Sequence, residues 1–101
     1  MKLIVVTSVH EYEKKVCELF KKSCIKVYSS APIEGHKFLG IENLQDNWFS
    51  ANRNTYDSIV YFSFTDEDKI DDMLNHIKDF NNKQNSNNPV KAIVLPIEKY
   101  V

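Results

Sequence analysis

Glycine is scarce in this chain, with only Gly35 and Gly40 among 101 residues. The pair has the G-x-x-x-x-G spacing, but Ile41 and Glu42 follow where a phosphate-binding loop needs Lys and Ser/Thr. Cysteine is equally rare. Cys17 and Cys24 stand seven apart on or just beyond one helix, without a secretion signal, and read as reduced thiols. Long apolar runs are missing as well. Leu3 to Val6 is too short for a signal-peptide core or a membrane span, so the expected compartment is the cytoplasm. A formal charge of −1 gives no pull toward nucleic acid or anionic membrane. The chain has neither G-x-S-x-G nor H-E-x-x-H, and His10, His36 and His76 are too scattered for a zinc site.

What is present is the pattern of one small α+β domain over residues 1–101. Lys2 to Thr7 is a compact β-branched strand, and Ser8 with Glu11 forms an S-x-x-E capping box that predicts a helix start. Tyr12, Val16, Leu19, Phe20 and Cys24 make one apolar stripe along that helix. Ile25 to Tyr28 reads as the second strand, and Ser58 to Phe64 is the clearest strand of all. Thr65 and Asp68 give a second capping signature before a helix with the stripe Ile70, Met73, Leu74, Ile77, Phe80. An asparagine-rich surface turn, 81–88, precedes the last strand, Val90 to Leu95.

Two βαβ halves predict a ferredoxin-like βαββαβ sandwich: a four-stranded antiparallel sheet with two helices on one face and a long loop, 31–54, between strands two and three. That loop carries Phe38, Leu39, Ile41, Leu44, Trp48 and Phe49, and its length marks it as the functional segment. The strands do not alternate apolar with polar. Leu3 and Val5 oppose Ile4 and Val6, Val60, Phe62 and Phe64 oppose Ile59 and Tyr61, and Ala92 and Val94 oppose Ile93 and Leu95, so both faces call for burial while two helices cover only one; the uncovered face predicts an oligomer packed sheet against sheet. The alternative is that the long loop folds back over this face within one chain.

The order of elements, the long insertion and the closing run Val90-Lys91-Ala92-Ile93-Val94-Leu95-Pro96-Ile97-Glu98-Lys99-Tyr100 resemble the PII-like signalling superfamily over the whole chain. Ser29-Ser30-Ala31-Pro32-Ile33-Glu34-Gly35-His36 is similar to a segment of a little-characterised PII-like branch found near heavy-metal efflux pumps. CutA-like copper-tolerance proteins are a weaker match. The resemblance implies a homotrimer, a small effector bound in clefts between subunits, and a long loop that contacts a partner such as a membrane transporter. The candidate effectors are an adenine nucleotide and a divalent metal. Relatives that bind the nucleotide use a glycine-rich phosphate segment, which this chain lacks, and the junction Phe64-Thr65-Asp66-Glu67-Asp68 offers three acids that would repel phosphate.

The candidate ligand- or partner-binding residues are Pro32, Glu34, Gly35, His36, Lys37, Trp48, Phe49 and Arg53. Glu34 and His36, hinged by Gly35, could hold a divalent metal; the bland reading is an exposed loop histidine. Trp48 and Phe49 suit partner anchors or plugs onto the core, and Lys37 and Arg53 suit an anionic effector or solvent. His10 and His76 read as surface residues, and both cysteines as small packed hydrophobes. The acidic run Asp66 to Asp72 lacks the EF-hand pattern and reads as a capped helix start. A non-enzymatic regulator therefore ranks first, a metal-tolerance protein second, and a small enzyme with the loop as lid last, because no nucleophile and base pair is visible.

Overall fold

The computed structural model describes residues 1–36, 55–85 and 87–101. Strands β1 (Lys2–Val9), β2 (Ser29–His36), β3 (Thr55–Thr65) and β4 (Lys91–Pro96) form one antiparallel sheet in the order β2-β3-β1-β4. Helices α1 (Glu13–Lys22) and α2 (Glu67–Gln84) cover one face. Ile4 and Val6 of β1 and Ile59 and Tyr61 of β3 are buried there against Val16 and Phe20 of α1 and Ile70, Met73 and Ile77 of α2. The expected α+β sandwich is thus the observed one.

The helix starts differ from expectation. Ser8 is the last inward position of β1, where its hydroxyl donates to the Val9 carbonyl (3.0 Å) and lies 3.1 Å from the Tyr61 hydroxyl. It caps nothing. A 3-10 turn, His10–Tyr12, intervenes before α1, and Asp66 opens α2 without a side-chain cap. Strand pairing claimed Ser8 before the helix could. At the other end of α1, Cys24 takes φ 61°, with its N–H on the Lys21 carbonyl and the Ile25 N–H on the Phe20 carbonyl. This double bond pattern closes the helix, at a position that usually carries glycine. Cys24 is therefore exposed, in contrast to its expected place in the apolar stripe, and Cys17 is half-buried.

The second strand is also displaced. Ile25 to Tyr28 is irregular, and β2 begins only at Ser29. Ile25 inserts into the core, Tyr28 stacks on Phe20 with centroids 4.2 Å apart, and the Ser63 hydroxyl donates to the Val27 carbonyl (2.7 Å). Residues 31–36, expected in the loop, instead extend the sheet by pairing with β3. Pro32 is tolerated because β2 is an edge strand, where a missing N–H faces outward. The rest of the expected loop, residues 37–54, lies outside the described residues.

His76 departs from its expected solvent position. The Ser23 hydroxyl, 1% exposed, donates to the Leu19 carbonyl (2.8 Å) and lies 2.9 Å from His76 Nδ1. This contact joins the C-terminal turn of α1 to the middle of α2.

Candidate functional site

Two surfaces stand out. The first is the sheet face opposite the helices. Cross-strand partners share a face, so Leu3 and Val5 stand beside Phe64 and Phe62 on one side and Leu95 and Ile93 on the other. Phe62 is 39% exposed, Phe64 56%, Ile93 58% and Leu95 44%. These side chains form a contiguous apolar patch on the face that the helices leave open.

The second is a cleft of about 320 Å³ at the end of the sheet where β2 leaves for residue 37. Topology builds it from distant parts of the chain. The end of β1 gives Thr7, Ser8 and Val9, the end of β2 gives Gly35 and His36, and β3 gives Ser58. The α2–β4 connection and the first residue of β4 add Asn87, Asn88, Pro89 and Lys91. Among the described residues its lining contains hydroxyls, amides, an imidazole and one ammonium group, and no carboxylate. Such a lining favours an anionic or hydroxyl-rich ligand. The acidic start of α2 follows β3 at its far end, so within one chain its carboxylates do not face this cleft.

The expected site residues divide accordingly. Gly35 and His36 line the cleft. Glu34 stands opposite Asp57 in the β2–β3 ladder and 3.6 Å from His36, while Pro32 lies opposite Ile59 on the outer strand. Glu34 and His36 are both exposed, and among the described residues no group of three His, Cys, Asp or Glu side chains is placed to hold a metal ion. A metal at this pair needs a further ligand from elsewhere. Lys37, Trp48, Phe49 and Arg53 lie outside the described residues. Thr7, Ser58, Asn87, Asn88 and Lys91 were missed by sequence reasoning; only the asparagine-rich turn before β4 gave a signal, and it read as a solvent turn.

A third, mostly apolar groove of about 550 Å³ runs between Cys17, Lys21, Ile25 and Tyr28. There the Tyr28 phenol is pushed up to about 12, first by its hydrogen bond to Cys17 and then by burial. Burial also raises Tyr61, partly offset by its bond to Ser8. Both phenols are neutral structural groups at physiological pH.

Among the described residues no helix is long and apolar enough to cross a membrane. Comparison with protein-family models gives no match, and comparison with curated sequences gives none either. Solved structures do match. One is CPII, a nitrogen regulatory PII-like protein from Thiomonas intermedia K12, bound to ADP, AMP and bicarbonate. The likeness covers 99% of this chain and 94% of that one, with TM-score 0.63 and 12% identity. At that identity the likeness speaks for the fold: the chain has the ferredoxin-like fold of a nitrogen regulatory PII-like protein.

Proposed function

We propose that the chain is a PII-like regulatory protein, a homotrimer with its open sheet faces turned inward. A small anionic effector, an adenine nucleotide in the first instance, occupies the cleft at the sheet end. Its occupancy is passed through residues 37–54 to a partner protein, a membrane transporter being the partner that the family resemblance suggests. The observation that carries this reading is positional: Gly35 and His36 are both cleft lining and the last residues before 37. A ligand held against them touches the base of the segment that would report it. Lys91 supplies the fixed positive charge for the anion, and Asn87 and Asn88 supply amide donors. The ligands of CPII make ADP, AMP and bicarbonate the natural probes.

The test is isothermal titration of the purified protein with each probe, beside the Lys91→Glu variant. Saturable binding of one probe, lost in Lys91→Glu, supports the reading. Titration with zinc and copper runs in parallel. Metal uptake that His36→Ala abolishes, with no nucleotide or bicarbonate bound, overturns it in favour of a metal-tolerance role built on Glu34 and His36.

A further inference from the structure

We infer that Asn81 is the positioning residue of the cleft, the group that fixes the α2–β4 connection as its lip; this deepens the effector reading above. Asn81 reaches from the last turn of α2 to the end of that connection. Its main-chain carbonyl accepts the Asn85 N–H (3.0 Å), while its side-chain Oδ1 accepts the Val90 N–H and its Nδ2 donates to the Val90 carbonyl, each at 2.9 Å. Asn85 itself adopts φ 47°, turning the chain out of the helix. The side chain thus ties the last turn of α2 to Val90, the residue before β4.

The staple lies where the cleft opens. The β1–β4 ladder stops at Thr7 and Lys91, and by its register the next partners would be Ser8 and Val90. Val90 instead spends its N–H on Asn81, with its side chain buried in the core. Pro89 before it and Lys91 after it both line the cleft. A lip already fixed in place need not be ordered when a ligand arrives, which saves that cost in binding. Only a side-chain amide of this length fits the role, because it must donate to one atom and accept from another across a single residue. Aspartate can only accept when ionised, and alanine does neither.

Amide hydrogen exchange by NMR and ADP titration of wild type, Asn81→Ala and Ser23→Ala test this. Ser23→Ala loosens the helices at a distance from the lip and is the control for general destabilisation. In Asn81→Ala, exchange of the Asn87 and Asn88 amides should accelerate on the order of tenfold, and ADP affinity should fall about fivefold or more. Ser23→Ala should leave both at wild-type values. Acceleration confined to Val90, or the same losses in Ser23→Ala, would overturn the inference. Should Asn81→Ala fail to fold, Asn81→Gln, which keeps the amide one methylene further out, is read the same way. If wild type binds no ADP, the effector reading fails by itself, and exchange at Asn87 and Asn88 alone decides the role of Asn81.

Discussion

Replacing Phe64 with aspartate should dissolve the assembly and spare the fold. In the single chain Phe64 is 56% exposed and packs edge-on to Phe62, with centroids 6.3 Å apart. A phenylalanine carries roughly 200 Å² of surface, so on the order of 110 Å² awaits burial at this one position. At about 25 cal/mol per Å² that is about 3 kcal/mol per protomer. A carboxylate placed in the same apolar interface adds a desolvation cost of several kcal/mol. Association should weaken by about three to four powers of ten or more, since each 1.4 kcal/mol is tenfold. Sedimentation velocity at micromolar concentration reads the assembly, and far-ultraviolet circular dichroism reads the fold. Wild type should sediment as a small assembly of identical chains and Phe64→Asp as a folded monomer, with Phe64→Leu close to wild type. A monomeric wild type, or an Asp variant that assembles as wild type does, would refute the reasoning from the open face.

Three further outcomes follow from local chemistry. Cys24→Gly relieves a left-handed backbone at φ 61° and should stabilise the protein by about 1 kcal/mol in urea unfolding; a loss of stability would refute that account of the helix end. Ser23→Ala removes the hydroxyl that His76 Nδ1 contacts and should cost about 1 to 3 kcal/mol, whereas a neutral change would mean that the contact contributes nothing. The Tyr28 phenol is raised from 10.0 to about 12, so the stability it contributes is present below pH 10 and is lost as pH climbs through the folded value. Thermal unfolding from pH 9 to 12 should therefore fall more steeply in wild type than in Tyr28→Phe, and equal slopes would contradict the shift.

The sheet and both helices were legible because burial writes a period into the sequence: two for Ile4 and Val6, between three and four for Ile70, Met73 and Ile77. Strand β2 was illegible for the complementary reason. An edge strand exposed along nearly its whole length, holding Pro32 and Gly35, has no apolar alternation, and only its pairing with β3 defines it. Ile25 and Tyr28 supplied a false signal, since they are apolar to fill the core and not to form a ladder. The capping box at Ser8 failed because position in the β1 register turned its hydroxyl inward. Half of the cleft was visible in Gly35 and His36. The other half, Asn87, Asn88 and Lys91, lies more than fifty residues further on and is brought there by strand order, which no local pattern encodes. Asn81 was read as the start of a polar surface turn, because a side chain that imitates a strand neighbour looks in sequence like any polar residue.

Native mass spectrometry of the wild-type protein titrated with ADP, AMP and bicarbonate tests the central claim most directly, since it counts subunits and ligands in one experiment. The account predicts a homotrimer that takes up about one nucleotide for each cleft, with uptake lost in Lys91→Glu. A monomer that binds none of the three would contradict both the buried sheet face and the effector cleft.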